Sequence, residues 1–236
     1  LELQQAARRS LVRLSLVSRD NFFLSQPMLA EVVSGSIEPP HILTSIRRMV
    51  PGADLYKAEI EAIDVEDRRI VIRYPGHTEY RDVPYDHLIV AVGTGTDLSA
   101  VPGVAEHAFP FKTMGDAFLL RNHLIGVLEA AEVEDDPAPK QELLTFVVVG
   151  GGYTGVEIAA EINDFIREAA KSYRRVESRN VRVVLVQGGG RILPELAPSL
   201  ADFSHRLLEK RGIGIRLGTR IAGATASAVM LTDGTT

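Results

Sequence analysis

The chain has 236 residues, 45% of them apolar and 24% charged, which is enough for one large or two small domains around apolar cores. Its 26 basic and 31 acidic residues give a formal charge of -5 with no Lys- or Arg-rich segment, which argues against a nucleic-acid partner. The absence of cysteine excludes a disulfide framework, a thiolate metal site and a cysteine nucleophile from these residues, so redox chemistry here needs a bound cofactor.

The opening LELQQAARRS has helix-forming composition without a cap, and LVRLSLVS, ending at Ser18, alternates as a strand does. LYKAEIEAIDV and RRIVIRY flank the polar turn Glu66-Asp67-Arg68 and predict a hairpin within a β-meander. YDHLIVAVGTGT, from Tyr85, predicts a short buried strand over Leu88–Val92 that Gly93 and Gly95 stop. Between Lys112 and Ala131 the apolar Phe118, Leu119, Leu124, Val127 and Leu128 recur at helical spacing. The charged, Pro-containing EVEDDPAPKQE that follows reads as a linker or solvent loop. Next, LLTFVVVGGGYTGVEIAAEINDFIREAAKSY reads as buried strand, glycine turn and helix, with Val156, Ile158, Ala159, Ile162, Phe165 and Ile166 on the inner face. NVRVVLVQ, Asn180 to Gln187, completes a β-α-β unit. No run reaches the roughly 18 apolar residues of a membrane span and no signal segment opens the chain, so a soluble, cytoplasmic-side protein is expected.

LVRLSLVS and NVRVVLVQ share pattern, length and an Arg at the third position, and hydrophobic hairpin sequence follows each. The expected fold is therefore α/β, with two homologous Rossmann-like dinucleotide-binding halves, each with a β-meander. Both read as incomplete: the first lacks an opening strand and glycine turn, and the second has no strand after Asp233-Gly234, so a fragment of a longer polypeptide is expected.

Gly150, Gly152 and Gly155 make the G-x-G-x-x-G spacing, with Gly151, Tyr153 and Thr154 completing the turn. The first glycine permits the tight turn, the second leaves room for a pyrophosphate against the backbone, and the third lets the helix lie on the strand. The motif alone is weak evidence; strand, helix and second strand around it point to dinucleotide binding. At the end of the second strand, where an acid usually meets the adenosine ribose, stands Gln187. Its amide can bond a 2′-hydroxyl and lacks the charge that repels a 2′-phosphate, which leaves NADPH open. Nearby Arg191 reads first as a structural or exposed arginine and second as a phosphate partner. Ser18 holds the equivalent strand end in the first half. Glu157, in the first helical turn, is either a carboxylate stabilised by the helix N-terminus or a proton carrier beside a flavin. The six histidines form no close ligand cluster, so no metal is expected.

VVVGGGYTGVEIAAE resembles the two-dinucleotide-domain flavoprotein reductases. DNFFLSQPMLAEVVSGSIEP, YDHLIVAVGT, VPGVAEHAFPFKTMGDAFLLRNHLI and RILPELAPSLADF narrow the resemblance to the type II, non-proton-pumping NADH dehydrogenases. That resemblance implies an FAD-binding domain over residues 1–111 and an NAD(P)H-binding domain over 112–236. The flavin would be contacted by Asn21, Phe22 and Pro27, by Ala91, Val92, Gly93 and Thr94, and at Ser18. It implies hydride transfer from NADH, the preferred nucleotide, to FAD, then two electrons to a membrane quinone, with Glu157 near the isoalloxazine in proton handling. It further implies a location on the inner face of the cell membrane, reached through a C-terminal region absent from these residues, and leaves a homodimer open. The family's first glycine turn, its later Gly-Asp segment and its membrane-anchoring region are not in these 236 residues, and Ser18 and Gln187 replace two customary acids. Disulfide reductases of the superfamily are excluded because they need cysteine. A ferredoxin or rubredoxin reductase, or a nucleotide-responsive binding module like apoptosis-inducing factor, are the competing readings.

Overall fold

Strands that alternate apolar and polar residues must pair edge to edge to satisfy their backbone groups, and residues 12–95 do so in three small sheets. The computed structural model describes Val12–Thr236; the helix-forming opening and the expected strand start at Leu11 lie outside the described residues. Strand β1 (Ser15–Ser18) pairs in parallel with β4 (Asp54–Lys57), Ser18 lying opposite Lys57. Strands β2 (Phe22–Leu24) and β3 (Leu43–Ser45) form an antiparallel pair. The expected hairpin is β5 (Glu59–Asp64) against β6 (Arg69–Arg73), and β7 (Tyr80–Pro84) extends it into a three-stranded meander. Asp64 accepts from the Asp67 N–H at 3.0 Å and from Arg69, which pins the turn in which Arg68 has φ 50°. Ala58, Ile70, Ile72 and Val83 make the small core of this unit, with Leu88 packed on its side.

The strand expected over Leu88–Val92 is not formed: the segment is irregular, and Ile89, Val90 and Val92 are exposed. An apolar run becomes a strand only beside a neighbour, and no described strand pairs with it.

By compact packing the chain falls into two units. The first unit runs to Ser25 and resumes over Pro40–Gly95, whereas Gln26–Pro39 and Thr96–Thr236 form the second. In the second unit, β8 (Thr145–Val149), β9 (Arg182–Gln187) and β10 (Ile213–Leu217) form a wholly parallel sheet in the order β10-β9-β8. Helices α1 (Leu29–Ser34) and α2 (Met114–Val133) pack on α3 (Tyr153–Ala170), which together with α4 (Pro198–Lys210) packs on the sheet. A hairpin of β11 (Ile221–Ala224) and β12 (Val229–Leu231) follows the sheet. Helix α3 buries Ile158, Ala159, Ile162, Ile166 and Ala170, one stripe at helical spacing, as its periodicity requires.

Helix α2 starts at a capping box, the Thr113 hydroxyl accepting from the Asp116 N–H while Asp116 accepts from the Thr113 N–H. Its buried face runs through Ala117, Leu120, Leu124 and Leu128, while Phe118 and Leu119 point outward. The segment EVEDDPAPKQE, expected as a loop, contains a helix over Pro137–Leu143 with Asp136 as its N-cap and Pro137 in its first turn. Proline is well placed there because its missing N–H would have had no helical partner.

Candidate nucleotide-binding site

The ladder between β8 and β9 runs one residue past Val149, where the Gly150 N–H donates to the Val186 carbonyl at 2.8 Å. The chain then turns at Gly150 with φ 104°, a value that L side chains rarely adopt. Helix α3 begins immediately, with Gly152 as its N-cap and no side-chain oxygen closing that end. A Cβ on Gly152 would meet nothing within 4 Å, so a ligand can approach the backbone there. A Cβ on Gly155 would lie 1.7 Å from the Gly150 carbonyl oxygen, so the helix can rest on the turn only with glycine at that position. The unsatisfied N–H groups of a helix start attract an anion, and a pyrophosphate has the charge and size for this cradle.

Gln187 does something the motif does not reveal. Its side-chain oxygen accepts from the Gly151 N–H at 3.0 Å, and its amide nitrogen donates to the Arg191 carbonyl at 3.4 Å. The Gln187 amide thereby clasps the glycine turn, with Gly151 packed directly on its stem. Arg191 is likewise engaged, donating to the Pro194 carbonyl at 2.6 Å.

The whole chain, residues 1–236, matches the family described as pyridine nucleotide-disulphide oxidoreductase. The chain belongs to that family. Among curated relatives it is 34% identical over 224 residues to the external alternative NAD(P)H-ubiquinone oxidoreductase B4, mitochondrial, of Arabidopsis thaliana, covering 91% of this chain and 38% of the relative. It is 31% identical over 237 residues to the type II NADH:quinone oxidoreductase Ndh of Mycobacterium tuberculosis, covering 99% of this chain and 51% of that one. In three dimensions it resembles NDH2 from Plasmodium falciparum, solved in complex with NADH, with a TM-score of 0.86 at 25% identity over 93% of this chain and 46% of that chain. The chain thus spans about half or less of the length of these relatives. The family match and this likeness both bear out the Rossmann-type α/β fold expected from the sequence.

A second feature of the same unit is a groove of about 220 Å³ lined by Glu31 of α1, Glu157 and Glu161 of α3, and Leu207, Leu208 and Arg211 at the end of α4. The Glu31 Oε2 atom is buried and has no hydrogen-bond partner among the described residues. Glu157 keeps an exposed side, yet its carboxyl is held above the usual carboxylate range, first by partial desolvation and second by the negative charge of Glu31. The folded protein therefore binds this proton more tightly than the unfolded chain. The stability gained is present in acid and is lost as the pH rises through the raised value. Glu31→Gln should move the Glu157 titration down towards, but not onto, the ordinary carboxylate range, because the desolvation remains. A carboxyl-carbon NMR titration reads this, and an unmoved Glu157 would show that the two carboxylates do not interact.

Sequence reasoning missed the residue that brings α1 to this place. Arg121 of α2 donates to the Val33 carbonyl at the end of α1 at 2.6 Å, and its guanidinium stacks 5.0 Å from the Phe165 ring centre of α3. The RNH segment was visible as a resemblance, but the bond joins residues 88 apart, a separation at which no local spacing can signal it.

The remaining expected contacts fall as follows. Ser18 ends β1, the Asn21 carbonyl accepts from the Ile46 N–H at 3.1 Å, and Phe22 pairs with Ser45 across β2 and β3. Ala91, Val92, Gly93 and Thr94 lie in the irregular stretch of the first unit, with Gly93 at φ 69°. Pro27 lies in a short 3-10 turn, Gln26–Met28, of the second unit.

Proposed function

We propose that these residues are the nucleotide-handling part of an FAD-dependent NADH:quinone oxidoreductase that does not pump protons. The observation that carries the reading is the backbone-lined turn from Gly150 to Gly155, with open space at Gly152 and an uncapped helix start behind it. There the turn would hold the pyrophosphate of NADH and the Gln187 amide would keep Gly151 in register. NADH oxidation by a quinone consumes one proton from solution, and the raised carboxyl of Glu157 suits it to hold that proton.

The first unit offers a matching position for FAD. Ser18 ends β1 opposite Lys57, the last residue of β4, just as Gln187 ends β9 opposite Leu217, the last residue of β10. In the proposal Ser18, Asn21, Phe22 and Ala91–Thr94 contact FAD, and residues 1–111 and 112–236 divide between FAD and nicotinamide nucleotide. FAD, when bound, supplies the two-electron acceptor that side chains without cysteine cannot. Quinone as acceptor, peripheral membrane contact and a homodimer belong to the same proposal; among the described residues no helix is long and apolar enough to cross a membrane.

Anaerobic addition of NADH to the flavin-loaded protein should bleach the flavin absorbance, and a soluble ubiquinone analogue should restore it. Flavin reduction followed by reoxidation with ferredoxin but not with any quinone would favour the ferredoxin-reductase reading. A reduced complex that stalls with every acceptor would favour a binding module.

A further inference from the structure

We propose that Arg220 is the residue that reads the 2′-phosphate of NADPH, so that the cleft accepts NADPH beside NADH; this rests on the nucleotide reading above. The cleft beside the glycine turn measures about 390 Å³, and Gly150, Gln187, Gly188, Gly189, Thr219 and Arg220 line it. Arg220 is the sole charged residue in that lining. The strand-end position carries an amide rather than an acid, and that amide is committed to Gly151. Nothing at this rim therefore repels a 2′-phosphate.

Arg220 is anchored at its base and exposed at its tip. Its backbone N–H donates to the Thr232 hydroxyl at 3.0 Å and its carbonyl accepts from the Thr232 N–H at 2.8 Å, which ties the residue to the strand hairpin. Its guanidinium has no ion-pair or hydrogen-bond partner among the described residues, and its side chain crosses the face of Gly188. A Cβ on Gly188 would come within 2.8 Å of the Arg220 Nε. The missing side chain at position 188 is thus what lets the arginine lie over the end of β9, where the adenosine ribose of a bound dinucleotide belongs. A planar guanidinium there matches a phosphate dianion by paired, charge-assisted hydrogen bonds. Arg191, closer in sequence, is directed to Pro194 instead.

Calorimetric titration with adenosine 2′,5′-bisphosphate and with 5′-AMP isolates the 2′-phosphate, because both ligands share the 5′-phosphate and the adenine. The wild-type protein should bind the bisphosphate about tenfold more tightly, the worth of one charge-assisted pair. Arg220→Gln should remove that difference while leaving 5′-AMP within about twofold. Gly188→Ala, which displaces the arginine without removing it, should act in the same direction. Equal affinity for the two ligands in the wild type would overturn the assignment. So would an equal loss for both ligands in Arg220→Gln, which would make the arginine a partner of the adenine ring. If NADH and 5′-AMP also fail to bind, the pyrophosphate turn itself is misread; if they bind and the bisphosphate gains nothing, only the role of Arg220 falls.

Discussion

Gly155→Ala is expected to lower the thermal midpoint by roughly 6–12 °C and to abolish NADH binding, from a loss of about 3 kcal/mol in a domain of this size. The added methyl would sit 1.7 Å from the Gly150 carbonyl oxygen and 2.9 Å from its carbon, both backbone atoms that no rotamer change can move aside. Relief requires α3 to lift off the end of β8, which opens the turn that Gly150 makes. Gly152→Val provides the contrast. Gly152 has φ -78° and ψ -173°, extended backbone that any residue adopts, and its Cβ direction is empty. That variant should keep the midpoint within about 2 °C of wild type and still lose NADH binding by a hundredfold or more, about 3 kcal/mol, because valine fills the space left for the pyrophosphate. Differential scanning fluorimetry with and without NADH separates the two variants. A Gly152→Val protein that binds NADH normally would place the nucleotide elsewhere.

Arg167→Ala should cost about 3 kcal/mol, with a fall of roughly 6–12 °C in thermal midpoint, without any direct contact to a nucleotide. From α3 this arginine donates to the Asn163 side chain at 2.9 Å, to the Ser178 carbonyl at 2.6 Å and to the Val181 carbonyl at 3.0 Å. Asn163, only 1% exposed, passes the network on to the Arg211 carbonyl at 3.3 Å, past the end of α4. Truncation leaves two carbonyls and a buried amide without their donor, and each lost partner costs more than the bond contributed. Arg167→Lys should recover only part of the loss, since one ammonium cannot span three acceptors that a planar fork reaches. Chemical denaturation measures both variants. A midpoint for Arg167→Ala within about 2 °C of wild type would mean that water replaces the arginine at all three sites.

The strand, glycine turn, helix and second strand were legible because their signals are local. Four apolar residues before Gly150, the spacing to Gly155 and the stripe from Ile158 to Ile166 sit within one β-α-β unit. Asp136-Pro137 was equally local, a helix start that the charged surroundings disguised as a loop. On α2 the periodicity was correct, yet Phe118 and Leu119 face outward, because hydrophobicity alone does not say which stripe meets a neighbour. Over Leu88–Val92 an apolar run gave no strand, since pairing depends on a partner and not on the run itself.

Sequence by itself thus determined the α/β class, the meander and the glycine turn, all consequences of hydrophobic period and of what glycine alone permits. Tertiary structure decided which way the polar side chains face. Gln187 clasps Gly151 across 36 residues, Arg121 holds α1 across 88, and Glu31 meets Glu157 in one groove. Arg220 comes to the rim of the cleft from beyond β10, through the parallel register that sets Leu217 beside Gln187. Backbone conformation follows from neighbours in the chain, whereas the partner of a polar group is set by packing that brings distant segments together, and that packing settles what the site can bind.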